Sequence, residues 1–316
     1  MAKRKKIRIR IKKKNFTIFL IFMGVLIYSF YLLIHTTIKL IETSIPKKEE
    51  KEIKEEKKEK KKEEKNISPT EEKLKELDNI NEQINYFNND NIDRYINYKK
   101  LHPDFDIIKV IKYVNMNLDY NYYEKKEKAL NPNTNIILVN KYYYMEENEV
   151  PNNLETINNN YALDNAKLVR EAKNAFEEMA KNAASENLSI IAMSAYRNYT
   201  YQVSLYNRYV RSDGKENADT YSGRPGHSEH QTGLAVDVYN GKVDYTKFET
   251  TNEFTWMMNH AHEYGFILRF PKGKEFETGY IYESWHYRYV GKEIAKEIKE
   301  RNICLEEYIA TQAISN

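Results

Sequence analysis

Two histidines, an aspartate and a glutamate carry most of the chemistry available to this sequence, and they fall in two short stretches. Residues 227–240 read HSEHQTGLAVDVYN, with six residues between His230 and Asp237. From 233 to 239 the residues alternate as in a strand, with Leu234, Val236 and Val238 on one face and Gly233, Ala235 and Asp237 on the other. One face is therefore core, while the other sets a carboxylate next to the two smallest side chains, where a metal ion or a substrate can approach closely. The second stretch, residues 280–290, reads YIYESWHYRYV; it favours strand and contains Glu283 and His286.

Together the two stretches supply what a catalytic zinc site needs: three side chains on the ion, a fourth position for water, and a nearby carboxylate that is not a ligand and handles the proton. On this reading His230, Asp237 and His286 bind Zn2+ and Glu283 is the base. Residues three apart on a flat strand face opposite ways, so the backbone must bend or bulge between Glu283 and His286. Asp237 sits in an otherwise apolar strand, where a charge needs a partner such as a cation. Glu283 is flanked by Tyr282 and Trp285, which exclude water and raise its proton affinity toward that of a working base. A lone histidine is usually structural, and His227, His260 and His262 are read that way.

These motifs resemble a known family. The pattern S-x-H-x-x-G-x-A-x-D at 228–237, followed by E-x-W-H at 283–286, is similar to that of the VanY-like zinc D,D- and L,D-carboxypeptidases of bacterial cell walls. The resemblance extends to LVNK at 138–141, SAYRNYTYQ at 194–202, YGFILRFPKGK at 264–274 and HYRYVG at 286–291. It implies the hedgehog/D,D-peptidase-like fold and removal of the C-terminal D-alanine from peptidoglycan stem peptides. It also implies that Arg197, Gln202 and Ser228 bind substrate. For Arg197 the chemistry agrees, since a guanidinium grips a terminal carboxylate through two parallel bonds. Two residues depart from the family pattern: Ser284 stands where proline is common between the Glu and the Trp, and Phe270 where a tyrosine often stands. An endopeptidase that cuts cross-bridges and a zinc-containing wall-binding module without turnover are the alternatives; Arg197 disfavours the first and Glu283 the second.

The rest of the chain reads as mounting and delivery. Of 316 residues, 41% are hydrophobic and 31% charged, and the net charge of +3 arises unevenly. Residues 1–14 carry nine Lys or Arg and no acid, so the remainder is slightly acidic and no nucleic-acid partner is implied. Nor does any feature call for an obligate protein partner. The apolar run 16–34 has the length of a bilayer-spanning helix. Following a basic stretch, it predicts a single-pass anchor over 15–38 with the N-terminus cytoplasmic and the rest outside a bacterial cell membrane. A Lys/Glu-rich linker over 39–67 cannot form a core. A short helical stalk is expected over 68–91, the catalytic domain over 92–305 and a tail over 306–316.

Within the domain the patterns predict a helix from about Ile92 and a strand over 135–140. A helix over 162–182 with a stripe of Ala166, Val169, Ala172, Phe176 and Met179 follows, then a strand over 188–195 that delivers Arg197. Helices over 200–212 and 253–264 complete the pattern, the latter stopped by Gly265. Helices and strands mix without βαβ alternation, which indicates an α+β fold with a central antiparallel sheet and flanking helices. The one cysteine, Cys304, excludes an internal disulfide and reads as a small buried hydrophobe.

Overall fold

The computed structural model describes residues 84–313, together with residues 28, 29, 31–36 and 39. The chain divides into two units, Met1–Glu72 and Lys73–Asn316. In the first, residues 28, 29, 31–36 and 39 are helical. The basic tail, the linker, most of the apolar run and residues 68–83 of the expected stalk lie outside the described residues. Among the described residues no helix is long and apolar enough to cross a membrane.

The described part of the second unit carries first two helices, α1 (Ile92–Leu101) and α2 (Ile107–Asn115). The Asp106 side chain caps α2 by accepting the Lys109 N–H. Val110, Ile111 and Val114 of α2 are buried with Tyr95 of α1, and Phe87 joins the same core. The short strands β1 (Glu127–Lys128) and β2 (Tyr143–Tyr144) pair in parallel, and β3 (Leu154–Thr156) pairs antiparallel with β4 (Lys167–Val169). There follow α3 (Arg170–Ser185), β5 (Ile191–Ser194), α4 (Tyr199–Asp213), α5 (Lys215–Tyr221), β6 (Ala235–Tyr239), α6 (Asn252–His260) and β7 (Phe266–Leu268). Then come α7 (Glu275–Thr278), β8 (His286–Tyr289), α8 (Lys292–Arg301) and α9 (Leu305–Ala310).

The organising sheet is four-stranded and wholly antiparallel, in the order β5-β6-β8-β7. Its two faces are what the alternation at 233–239 predicts. Leu234, Val236 and Val238 enter the main core with Tyr287 and Tyr289 of β8. The stripe of α3, Ala172, Phe176, Met179 and Ala183, covers that face, and burying a side chain such as Phe176 contributes on the order of 2–3 kcal/mol. Asp237, opposite His286 in register, points to the other face with Ala235 and Arg288. The α+β reading and the antiparallel sheet therefore hold.

Three local expectations do not. The predicted strand at 135–140 is only a bridge between Leu138 and Leu130. Its carbonyls serve side chains instead of a neighbouring strand: Asn135 and Ile137 accept from Arg288 Nη2, and Asn140 lies 2.7 Å from His227 Nδ1. The helix expected from 162 begins at Arg170, because Asp164 and Asn165 take positive φ (47° and 54°) and Lys167–Val169 forms β4. Finally, α9 spans residues assigned to a C-terminal tail, and its Glu306 and Glu307 are buried.

Candidate active site

Four backbone devices bring the site together. β6 and β8 are adjacent and in register, so Asp237 lies directly opposite His286. His230 belongs to a 3₁₀ turn, Glu229–Thr232, that ends at Gly233 with φ 68°. That φ favours glycine, and a side chain at 233 would also crowd Leu154 Cδ2 at 2.8 Å and Val169 Cγ1 at 3.1 Å, where the turn lies against β3 and β4. The Arg197 N–H donates to the His230 carbonyl at 3.1 Å, which ties the end of β5 to the turn. Asn198 then caps α4 by accepting the Tyr201 N–H. The bend expected between Glu283 and His286 is a turn at Ser284–Trp285, anchored where the Val238 N–H donates to the Trp285 carbonyl at 2.9 Å.

His230, Asp237 and His286 are all buried, and their donor atoms lie within 4.8 Å of one another. His230 Nε2 is 3.3 Å from Asp237 Oδ2, and His286 Nδ1 is 3.0 Å from Asp237 Oδ1. Donors about 2.0–2.1 Å from a tetrahedral ion stand about 3.4 Å apart, so both separations suit one zinc. A second observation points the same way. His230 Nδ1 lies 2.6 Å from the Ala195 carbonyl, which can only accept, so Nδ1 carries the proton and Nε2 presents a lone pair. That Nε2 is buried, lacks a hydrogen-bond partner and faces a carboxylate oxygen. Two electron-rich atoms so placed repel, and a cation between them removes the repulsion. Two imidazoles and one carboxylate are a donor set that fits Zn2+.

The charges respond to this crowding. Burial, with the positive charge of Arg197, lowers His230 to about 4. For Asp237 burial pulls upward, but His230 and His286, both protonated at the low pH where this carboxyl titrates, outweigh it and hold it well below its usual range. Burial would lower His286, yet the carboxylates of Asp237, Glu229 and Glu283 hold it up at about 9. Glu283 lies 3.7 Å from His286 Nδ1, outside the close His-Asp-His set, and burial pushes its carboxyl up to about 8. Its backbone N–H donates to the Phe270 carbonyl, and Phe270 packs its ring on His286 with centroids 4.9 Å apart. Phe270 therefore walls the site as an apolar surface.

Arg197 stands at the rim. Its Nη1 is 3.7 Å from Asp237 Oδ2, its Nε is buried without a partner, and its side chain is 19% exposed. Ser228 is buried at the head of the 3₁₀ turn. Gln202 is buried on α4, and its amide donates at 2.7 Å to the carbonyl of Gly223, which lies against the backbone of His227 and Ser228. His227 is buried between Tyr123 and Tyr144, a packing role as expected. Sequence reasoning missed a buried ionic cluster behind His286, made by Glu229, Arg269, Arg288 and Glu306. The signal was present in Arg288, two residues beyond His286 in a strand and so on the same face, in a segment otherwise Tyr and Val.

A buried donor set of two histidines and an aspartate, with a separate buried carboxylate at its edge, is the kind of site that metal-dependent hydrolases use. The family model VanY, D-alanyl-D-alanine carboxypeptidase, matches residues 165–292. The chain is 37% identical over 189 residues to the Bacillus subtilis (strain 168) protein YodJ, covering 58% of this chain and 69% of that one. It is 35% identical over 184 residues to a D-alanyl-D-alanine carboxypeptidase of Enterococcus faecium, covering 55% of this chain and 57% of the relative. Among solved structures, the LdcB LD-carboxypeptidase superposes with a TM-score of 0.55 at 36% identity, covering 59% of this chain and 90% of that one. The chain belongs to the VanY D-alanyl-D-alanine carboxypeptidase family.

Proposed function

We propose that this protein is a Zn2+-dependent carboxypeptidase that removes the terminal D-alanine from peptidoglycan stem peptides, tethered to the outer face of a bacterial membrane by residues 15–38. The observation that carries the catalytic reading is Glu283: a buried carboxylate 3.7 Å from His286 Nδ1, across the Ser284–Trp285 turn and outside the close group of His230, Asp237 and His286. His230, Asp237 and His286 hold the ion, which when bound lowers the pKa of its water to about 7 and polarises the scissile carbonyl. Glu283 accepts the proton of the attacking water and passes it to the departing amine of D-alanine.

Arg197, with a buried and unpartnered Nε, binds the free carboxylate of the substrate. Ser228, at the head of the turn that carries His230, contributes to substrate binding. Gln202 supports substrate binding indirectly, by holding through its amide the Ser222–Gly223 segment that packs against Ser228. The basic stretch and apolar run at the N-terminus support the tether, with the catalytic unit outside.

The test is release of D-alanine by the zinc-loaded full chain from pentapeptide and tetrapeptide stems side by side. Release from the pentapeptide alone marks a D,D-carboxypeptidase and from the tetrapeptide alone an L,D-carboxypeptidase. Release from neither, with zinc bound, rejects the proposal. Digestion of cross-linked sacculi to monomers without free D-alanine would identify an endopeptidase instead.

A further inference from the structure

Behind His286, on the side away from Asp237, lies a group of four buried charges. Glu229 Oε1 accepts from Arg269 Nε and from Arg288 Nη1, both at 2.8 Å. Arg269 turns its other two nitrogens to Glu306 of α9, a bidentate pair at 2.8 and 2.6 Å. Arg288 is fixed in turn by the carbonyls of Asn135, Ile137 and Tyr289. Two guanidinium and two carboxylate groups balance, and every partner that fixes Glu229 is itself fixed.

One oxygen of this cluster is left over. Glu229 Oε2 is buried, has no hydrogen-bond partner and faces His286 Nε2 at 3.6 Å, and that nitrogen is likewise buried without a partner. Their separation exceeds a hydrogen bond by about 0.6 Å, which a small rotation of the imidazole closes. The two nitrogens of His286 thus meet different surroundings: Nδ1 is hydrogen-bonded to Asp237 Oδ1 at 3.0 Å, where a cation held by both residues would take the place of the proton, and Nε2 faces Glu229. A metal-binding histidine performs best when its other nitrogen donates to a fixed acceptor, which sets the tautomer and makes the ligating nitrogen more basic.

We infer that Glu229 is the positioning residue of the metal site: it accepts the Nε2–H of His286, commits Nδ1 to the ion, and is itself held through Arg269 by Glu306. The last helix of the domain is thereby coupled to metal affinity. The inference rests on the assignment of His286 as a ligand. A competing role for Glu229 is that of counter-ion to two buried arginines alone, which would affect folding and leave the metal untouched.

The experiment measures zinc affinity of the full chain by competition with a chelator of known affinity, for wild type, E229Q, E229D and H286A. E229D keeps a negative charge for the arginines while withdrawing the carboxylate from His286. Folded E229Q and E229D are expected to bind zinc about 10- to 100-fold more weakly, and folded variants with wild-type affinity overturn the inference while leaving the proposed function standing. H286A with undiminished zinc overturns both. Should the Glu229 variants fail to fold, selective ¹⁵N-histidine NMR of the zinc-loaded wild type decides. His286 bound through Nδ1 with its proton on Nε2 supports the inference, and binding through Nε2 overturns it.

Discussion

Glu283→Gln should raise the stability of the metal-free protein while abolishing most of its activity, and the pH at which the gain appears follows from the structure. Burial raises the Glu283 carboxyl from 4.5 to about 8. Between those values the folded chain holds a proton that the unfolded chain has released, so this group costs the wild type stability as pH rises through the window. At about 1.4 kcal/mol per pH unit the full cost above pH 8 has a ceiling of about 5 kcal/mol. Relaxation and water entry reduce it, and a gain on the order of 1–3 kcal/mol is expected for the glutamine variant.

His286 complicates the profile in a known direction. Its pKa is held up at about 9, so its own contribution is present below about 6.5 and is lost as pH rises toward 9 in both proteins. The difference between wild type and E283Q therefore isolates Glu283, apart from that carboxylate's own share in raising His286. Urea unfolding in the presence of chelator at pH 5, 6.5 and 8 measures it. The difference should be small at pH 5 and grow to pH 8, and it should shrink when zinc is restored, because a nearby cation stabilises the ionised carboxylate. In the same samples turnover should fall about 10²- to 10⁴-fold with zinc retained. A variant no more stable than wild type at pH 8, or one that loses its metal, would show that Glu283 is not a desolvated base outside the ligand set.

Three further outcomes are expected. His230→Ala, Asp237→Ala and His286→Ala should each lose zinc and activity together, read as metal content per chain alongside turnover; any of them retaining both would be removed from the ligand set. Arg197→Ala should keep zinc and fold while kcat/KM falls about 10- to 100-fold, with a smaller defect on substrates whose C-terminus is amidated. Tyr287→Phe should be neutral or stabilising by up to about 1–2 kcal/mol in thermal unfolding, because the Tyr287 hydroxyl is fully buried without a hydrogen-bond partner.

How much of this was legible in the sequence depended on how local the determinant was. The faces of β6 could be read because alternation over 233–239 is a property of consecutive residues, and it separated Asp237 from Val236 and Val238 correctly. The turn between Glu283 and His286 was legible as a necessity, since a flat strand cannot present both to one ion. The start of α3 was not, because Asp164 and Asn165 in positive φ interrupt an apolar spacing that otherwise continues to Ala162. The register that sets Asp237 against His286 was invisible too, since it joins residues 49 apart.

The charge cluster was hidden for a stronger reason. Glu229 meets Arg269 and Arg288 at separations of 40 and 59 residues, and Arg269 meets Glu306 at 37. No periodicity records such pairings. What a sequence does record is the anomaly each charge makes alone, such as Arg288 in an apolar strand or Glu229 beside the candidate ligand His230. A buried charge demands an opposite one, so two anomalies of opposite sign near one site constrain each other even before their contact is seen. The same demand that makes Asp237 a candidate ligand makes Glu229 a partner of Arg269 and Arg288. Their difference lies in what remains after pairing: Asp237 faces the lone pair of His230 and calls for a cation, whereas Glu229 faces an unpartnered nitrogen of His286 and calls for its proton.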